Sequence, residues 1–473
     1  MYRHAPRLRR LVTRGHQNVR IAVRRDFIAI VFVLGLFAMY STLAVRRQLT
    51  FHTAGWDLGI FEQAVRNYSL LRAPISLLKG ADVNLLGDHF HPILMVLAPL
   101  YAIAPSPVTL LVAQSFLFAL AAWPLVAWAR TALGRWPAVC VGLGYGFSFG
   151  IAAAAGFDFH EIAFAVPLIA FSLSALGRGR LGGAAIWALP LVLVKEDLGL
   201  SVVAVIGCLI FCRGRHQLGV SVAIIGAAAS ILEILVILPA INGSGGYHYW
   251  AKVSKEPLLQ VLGTDAGGKL LTLLATIAIT GFLALRSPLV LAAVPTLLWR
   301  FASNDPSYWG TNYHYSAVVM PVVFAAMIDG GTRIRAVDSP TARGVVRGAL
   351  ALSLIVTAML IPSHALAQLV TPTLWQPNPR ASAIDTALAM IPSGASVSAS
   401  DDLVPQLTSR DDVTLFGLLP AGMDTPTWIV VDPHSTRHFA VTRKAEHRDL
   451  LSAQRHDYRV VFARDGITLL RRT

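Results

Sequence analysis

Charged residues and cysteines are both scarce in this chain of 473 residues. Only 14% of the residues are charged whereas 55% are hydrophobic, which excludes an ordinary soluble domain and indicates a membrane protein with several spans. The three cysteines, Cys140, Cys208 and Cys212, all lie in predicted apolar spans, so no disulfide framework is expected. The sequence also lacks a glycine-rich phosphate loop, a nucleophile elbow and a zinc-protease helix, which are motifs of common soluble enzymes.

Long apolar runs predict about eleven membrane crossings between Asp26 and Val370. The first run, Phe27 to Val45, is longer than the core of a usual signal peptide, so we interpret it as a retained anchor. We therefore expect an all-α polytopic transmembrane bundle over residues 26–370, preceded by a basic cytoplasmic arm over residues 1–25.

The positive charge sorts onto one side of these predicted spans. Threaded alternately from a cytosolic N-terminus, the inner loops hold 19 Lys/Arg and 3 acids, and the outer loops hold 10 Lys/Arg and 11 acids. Residues 371–473 carry 11 residues of each sign, so the formal charge of +14 comes from the membrane part. The charge is therefore a topology signal and not the footprint of a nucleic-acid partner.

Two segments outside the spans have their own organisation. The first outer loop, residues 46–91, contains an amphipathic stretch from Asp57 to Leu71 that predicts a helix on the membrane surface. Residues 371–473 predict a small extracytoplasmic α/β domain with one helix and four strands, at Ala381–Met390, Ala395–Ala399, Trp428–Asp432, Tyr458–Ala463 and Ile467–Arg471.

Asp57 is the first candidate for chemistry. It follows Trp56 in a motif that ends at Glu62, at the predicted boundary between water and membrane. One interpretation is that Asp57 caps the surface helix through its carboxylate. The other is a general base, because partial desolvation tunes a carboxylate towards neutral pH.

Two outer loops each place an aspartate within three positions of a histidine. The first is Asp88, His89 and His91, and the second is Asp158, His160 and Glu161. Carboxylate and imidazole groups suit a metal or a phosphate, although the spacing matches no closed zinc pattern. For the second loop, helix capping by Asp158 and Glu161 remains the alternative. We assign Asp88, His89, His91 and Asp158 to a metal site, and His160 and Glu161 to substrate binding.

Two further groups interrupt apolar sequence on the same predicted side. Three consecutive charges, Lys195, Glu196 and Asp197, are costly at membrane depth unless they are paired or face water. They form either a tight hairpin at the surface or part of a substrate site. Arg300 could clamp a phosphate, and Tyr313 and His314 belong to an aromatic run that is either an interfacial belt or a binding wall. We assign these residues, with Trp56, to substrate binding.

Five ordered motifs resemble those of a known family. They are Trp56–Gln63 (WDLGIFEQ), Gly87–Pro92 (GDHFHP), Phe157–Glu161 (FDFHE), Lys195–Leu200 (KEDLGL) and Tyr313–Ala317 (YHYSA). Together they resemble a family of predicted bacterial membrane proteins described only as a domain of unknown function, and the resemblance covers nearly the whole chain. The layout in turn resembles the GT-C superfamily of membrane glycosyltransferases, which take sugars from polyprenyl-phosphate donors. This resemblance implies that Asp57 occupies the position of the catalytic acidic residue.

We therefore predict an inverting GT-C-type glycosyltransferase on the outer face of the bacterial plasma membrane. Asp57, with Glu62 as a second catalytic carboxylate, would take the proton of an acceptor hydroxyl on an envelope glycan, lipid or protein. Polyprenyl phosphate would leave, its charge offset by Arg300, Lys195 or a divalent cation such as Mg²⁺ or Mn²⁺. The alternatives are a transporter or flippase that uses the same charges, and a non-catalytic envelope scaffold.

Overall fold

Helices form most of the chain before Thr371. The computed structural model describes residues 5–243, 245–253, 255–419, 422–435 and 440–473, with side chains from Asp26 onward except that of Leu258. The predicted basic arm is helical from Ala5, and its side chains lie outside the described residues. The helices of this part are α1 (Ala5–Leu49), α2 (Ile60–Ser69), α3 (Leu85–Asp88), α4 (Ala98–Ile103), α5 (Pro107–Leu120), α6 (Ala122–Ala132), α7 (Arg135–Gly146), α8 (Phe149–Ala155), α9 (Ala165–Gly177), α10 (Leu181–Ala188), α11 (Ala204–Cys212), α12 (His216–Leu232), α13 (Leu238–Asn242), α14 (Leu258–Gly263), α15 (Ala266–Ala278), α16 (Val294–Ala302), α17 (Val319–Arg335) and α18 (Pro340–Leu360).

The helical part contains more helices than the roughly eleven membrane crossings predicted, and many of these helices are short. Within the described residues, four helices are long and apolar enough to cross a membrane, at Asp26–Leu49, Pro107–Ala132, His216–Asn242 and Pro340–Ser363. α7 and α8 form a fifth candidate that is bent by 45°. Six apolar helices have only 10–17 residues, and 3₁₀ or π turns such as Leu189–Leu193 and Gly199–Val203 interrupt them. The multi-pass helical architecture is confirmed, whereas the predicted count of about eleven helices is not reproduced, because turns divide several spans into shorter helices.

α17 lies at the centre of this bundle. Its residues from Val319 to Gly331 are all buried, which is the pattern of a helix that is surrounded by others on every side. It packs against α6, α9 and α18. α17 begins beside the Tyr313–Ala317 motif, so its position fixes where that motif enters the bundle.

The C-terminal part is a small α/β domain with a mixed sheet. Strands β1 (Ser396–Ala399), β2 (Asp412–Leu415) and β3 (Trp428–Val431) are parallel, and β5 (Ile467–Arg472) runs antiparallel to both β3 and β4 (Tyr458–Arg464). The strand order is β2-β1-β3-β5-β4. The four predicted strands are present. β2 was missed because four residues between turns carry too little alternation to be recognised. The elements are α19 (Pro372–Trp375), α20 (Ala381–Ala389), β1 (Ser396–Ala399), β2 (Asp412–Leu415), β3 (Trp428–Val431), α21 (Arg443–Arg455), β4 (Tyr458–Arg464) and β5 (Ile467–Arg472).

The predicted surface helix is instead buried between the two parts of the protein. α2 places Phe61 and Val65 in the core of the helical bundle. Its Ile60 and Ala64 belong to the core of the C-terminal domain, together with Val404. Because both faces of α2 are covered by protein, the prediction that it lies on the membrane surface is wrong.

Candidate functional site

A polar cavity of about 120 Å³ lies where the motif-bearing loops meet. Each of the five motif groups contributes to its wall, although they are separated by more than 250 positions in the sequence. The motif residues in the wall are Trp56, Asp57, Ile60, Phe61, Asp88, His89, His91, Phe157, His160, Lys195, Tyr313, His314 and Tyr315. The structure thus brings together most of the residues that the sequence predicted for a site.

Asp57 lies in an irregular turn that precedes α2, and not at the N-cap of α2. The residue is part of the π-helical turn Gly55–Gly59 and adopts φ 94° and ψ −73°, a conformation that is rare for any residue other than glycine. α2 begins only at Ile60, and no side chain caps it. The capping interpretation is therefore wrong. Strained backbone of this kind persists only where the surroundings hold it, and here it directs a carboxylate into the cavity wall.

The C-terminal domain holds the backbone that precedes Asp57. The Asp401 carboxylate accepts a hydrogen bond from the Trp56 amide at 2.8 Å, and the Asp401 carbonyl accepts one from the Gly55 amide at 2.7 Å. Val404 packs so closely that a Cβ added to Gly55 would lie 2.5 Å from the Val404 Cβ. The glycine is therefore required for this approach between the loop and the domain.

Asp158 holds the same loop from the opposite side. Its Oδ2 accepts a hydrogen bond from the Ala54 amide at 2.9 Å. Asp158 is buried and does not line the cavity. Its contact is with the backbone that carries Asp57, which is a positioning role and not one that the sequence suggested.

The surroundings of Asp57 favour its protonated form. Burial raises the pKa of Asp57 above its usual range. The nearby His160 lowers the pKa of Asp57, whereas the negative charges of Asp158 and Glu161 raise it further. A carboxylate with a raised pKa is a better proton acceptor at neutral pH than an ordinary aspartate, which is the requirement for a general base.

A chain of ionisable groups continues from His160 to Lys195. Glu161 is fully buried, and its carboxylate lies 2.6 Å from His160 Nδ1 and 3.4 Å from Lys195 Nζ. The His160 ring stacks on His314 with a centroid distance of 3.6 Å. Glu161 is thus behind the wall, where it orients a histidine and a lysine that both face the cavity.

Glu196 orients the ring of His89 in the same way. His89 Nδ1 lies 2.7 Å from the Glu196 carboxylate, which also accepts hydrogen bonds from the Tyr247 hydroxyl and the Phe90 amide. Burial alone would raise the pKa of Glu196, but His89 and Lys195 outweigh it and lower that pKa to about 2. Glu196 is therefore an anionic support for the His89 ring.

The residues assigned to a metal have other partners in this arrangement. Asp88 lies 3.0 Å from Lys79 Nζ, His89 pairs with Glu196, and Asp158 accepts from the Ala54 amide. Burial would raise the pKa of Asp88, but the charges of His89 and Lys79 lower it. Burial lowers the pKa of His91 to about 4, so this ring is neutral near pH 7. Among the described residues, no three carboxylate, imidazole or thiol groups converge on one point, so these side chains do not fit a metal ion as placed.

A second cavity of about 300 Å³ adjoins the first and is mostly apolar. Residues of the α12–α13 and α16 region, including Ile234, Pro295 and Trp299, form much of its wall, with Asp197 at its edge. Burial raises the pKa of Asp197 to about 6. The residues that line both cavities are His89, Lys195, Tyr249, Lys252 and Tyr308. Lys195 and Lys252 therefore lie at the boundary between the polar cavity and the apolar cavity.

Four predicted residues do not face either cavity: Asp158 and Glu161, described above, and Glu62 and Arg300. Glu62 belongs to α2 and is fully buried, and the hydroxyls of Tyr101 and Thr408 donate to its carboxylate. Burial raises the pKa of Glu62 to about 7. Arg300 is also fully buried, and its guanidinium donates to the carbonyls of Tyr308 and Gly310 at 2.9 Å. Arg300 thus shapes the loop that carries the aromatic wall, and Glu62 joins the helical bundle to the C-terminal domain.

Three cavity residues were missed by sequence reasoning. Lys79 lies 5.2 Å from the centre of the Trp56 ring and pairs with Asp88. Lys252 lies 3.3 Å from the Tyr308 hydroxyl, and the Tyr249 ring stacks on His89 at 4.2 Å. The only signal in the sequence was the position of Tyr249 and Lys252 in an aromatic run of a loop on the outer side of the predicted topology.

Comparison with solved structures identifies proteins of similar fold. Crystal structures of ArnT from Cupriavidus metallidurans match over 93% of this chain and 97% of theirs. The structure bound to undecaprenyl phosphate gives a TM-score of 0.55 at 14% identity, and the apo structure gives 0.57 at 13% identity. Identities this low establish a similar fold only. None of the curated proteins matches the chain.

The comparison with family models gives a direct assignment. A model described as a predicted membrane protein (DUF2079) matches residues 47–469, which include all five motifs and both cavities. The match covers most of the chain, and it agrees with the family resemblance that the motifs predicted. The chain therefore belongs to the DUF2079 family of predicted membrane proteins.

Proposed function

We propose that this protein is an inverting glycosyltransferase that transfers a sugar from a polyprenyl-phosphate donor to a hydroxyl of an envelope acceptor. The observation that carries the proposal is the contact between the polar cavity of Asp57 and the apolar cavity, with Lys195 and Lys252 in both walls. A lipid-linked sugar has a polar and an apolar part joined by a phosphate, and this arrangement offers a matching environment for each part. The fold match to a protein solved with undecaprenyl phosphate supports the donor class.

In this proposal Asp57 acts as the general base. Its carboxylate takes the proton of the acceptor hydroxyl, and the hydroxyl oxygen forms a bond to the anomeric carbon of the donor sugar. The bond between that carbon and the phosphate oxygen breaks, and polyprenyl phosphate leaves with the electron pair. Lys195 and Lys252 lie where the leaving phosphate would gain negative charge, so they stabilise it electrostatically.

The proposal places the site on the outer face of the bacterial plasma membrane, where nucleotide sugars are absent and a donor must arrive in the lipid. Whether Mg²⁺ or Mn²⁺ takes part is a separate prediction that the present side-chain contacts do not favour. Chelation by EDTA followed by readdition of either ion tests it, and turnover that is lost and then restored would establish a metal requirement.

The test of the proposal is turnover of purified protein in lipid with a panel of polyprenyl-phosphate sugars. We expect Asp57→Asn to lower turnover by about 10²- to 10⁴-fold, the usual contribution of a general base. Asp82→Asn is the matched control, because Asp82 is exposed in the same loop and lies outside the cavity wall. Undiminished turnover in the folded Asp57→Asn protein would remove Asp57 from the mechanism.

The pH dependence gives an independent check. Asp57 must be deprotonated to accept a proton, so activity falls as the pH drops through its pKa. Because burial raises that pKa, we expect the acidic limb of kcat/KM to lie above the usual range of an aspartate near 4. A profile that is flat down to pH 4 would contradict this assignment.

A further inference from the structure

A basic cleft of about 430 Å³ lies at the end of the helical bundle opposite the candidate site. α17 begins beside that site and ends at Arg335, about 25 Å away along a helix of 17 residues. The cleft is formed by α7 from Arg135 to Cys140, the last turn of α17 and α18 from Arg343 to Leu354. It shares no residue with either cavity described above.

Four arginines line this cleft, and only part of their charge is used. Arg343 lies 2.9 Å from Asp338, and Arg335 donates to the carbonyl of Leu133. The other two, Arg135 and Arg347, are exposed, and neither has a hydrogen bond or ion pair within the described part of the chain. The four arginines and Asp338 leave a net charge of +3, which favours the binding of an anion.

The floor of the same cleft is apolar. Leu350, Ala351, Leu354 and Cys140 continue from the arginines towards the middle of the bundle. Trp136 stands at the rim with 76% of its surface exposed, which is typical of a tryptophan at a membrane interface. A free phosphate would contact the arginines but not this apolar floor, whereas a phospholipid would contact both.

We propose that this cleft binds an anionic phospholipid, with the headgroup phosphate among the four arginines and an acyl chain along Leu350 and Leu354. Basic pockets between transmembrane helices are a common form of lipid recognition on the cytoplasmic side. The arginine excess at this end agrees with the predicted cytoplasmic orientation. The site would hold the protein in an acidic leaflet and is independent of the proposed glycosyl transfer.

The first test is native mass spectrometry of the full-length protein with diphosphatidylglycerol or with zwitterionic phosphatidylethanolamine. We expect diphosphatidylglycerol to bind, and Arg135→Gln/Arg347→Gln to weaken its binding by about tenfold or more, since two of the four arginines that attract the headgroup are removed. Arg180→Gln/Arg215→Gln is the control, because it removes two exposed arginines from the same end of the bundle outside the cleft. Equal losses in both double variants, or no loss in either, would overturn the proposal.

A second measurement uses the unchanged protein and so does not depend on a variant that folds. Cys140 lines the cleft, whereas the exposed Cys208 and Cys212 lie outside it. We expect diphosphatidylglycerol to slow alkylation of Cys140 by N-ethylmaleimide and to leave that of the other two cysteines unchanged, as measured by peptide mass spectrometry. Equal rates for Cys140 with and without the lipid, or protection by phosphatidylethanolamine to the same extent, would refute the site.

Discussion

The carboxylate of Asp401 provides the sharpest test of how the C-terminal domain supports the candidate site. It accepts a hydrogen bond from the Trp56 amide at 2.8 Å and so holds the residue next to Asp57. Asp401→Ala removes this acceptor, and a hydrogen bond to a charged group contributes about 1.5–3 kcal/mol. Asp401→Asn keeps an acceptor oxygen in the same place, so it separates the loss of the bond from the loss of the charge.

The assay is hydrogen–deuterium exchange of the segment from Ala54 to Ile60, which needs no knowledge of the substrate. A loss of about 1.5–3 kcal/mol of local stability speeds amide exchange by about 10- to 100-fold. We expect this for Asp401→Ala and a much smaller change for Asp401→Asn. Asp385→Ala is the control, because Asp385 is an exposed residue of α20 in the same domain.

Activity provides the second readout once a donor is identified. Displacing the backbone that carries Asp57 by about 1 Å would cost up to about 10²-fold in turnover. We expect Asp401→Ala to lower kcat more than it raises KM, because the loop carries the proposed base. Unchanged exchange in the loop together with unchanged kcat in a folded Asp401→Ala protein would refute the positioning role of the domain.

Three further changes test other contacts. Gly55→Ala should destabilise the protein by about 1–3 kcal/mol because its Cβ would meet Val404, and Val404→Ala should recover part of that loss; a wild-type thermal midpoint for Gly55→Ala would contradict the close approach. The pKa of Glu62 is raised to about 7 in the folded protein, so its protonation favours folding, and the free energy of unfolding falls by on the order of 3 kcal/mol as the pH rises from about 4.5 to 7. Glu62→Gln should remove this pH dependence, as measured by thermal unfolding across the same range. Lys252→Gln should raise the KM for a polyprenyl-phosphate donor by about tenfold whereas Lys255→Gln, at an exposed position nearby, should not, and equal KM values would exclude Lys252 from donor binding.

The predicted helices and strands followed from local pattern alone. Apolar runs predicted the multi-pass bundle, and short alternating segments predicted four of the five strands of the C-terminal domain. The predictions were wrong where tertiary packing changes the environment of a helix. α2 has the amphipathic pattern of a surface helix, but its second face is covered by a domain that lies more than 300 residues later in the chain.

The roles of individual polar residues depended even more on distant contacts. Arg300 had the chemistry of a phosphate clamp, yet four acceptors from the loop at residues 308–316 enclose it. Glu62 belongs to the same motif as Asp57 but lies on the buried side of α2. Spacing within a motif cannot show which side chain faces a cavity when the backbone breaks its regular turn between them, as it does at Asp57.

By itself, the sequence determined that this is a helical membrane protein with a small α/β domain and which loops carry the ionisable residues. These properties depend on hydrophobicity and charge, which every residue carries regardless of its partners. Only the tertiary structure decided that Asp401 and Asp158 hold the loop of Asp57, and that Lys195 and Lys252 stand between two cavities. These contacts join residues far apart in the chain, and their geometry is set by the packing of whole elements and not by any local pattern.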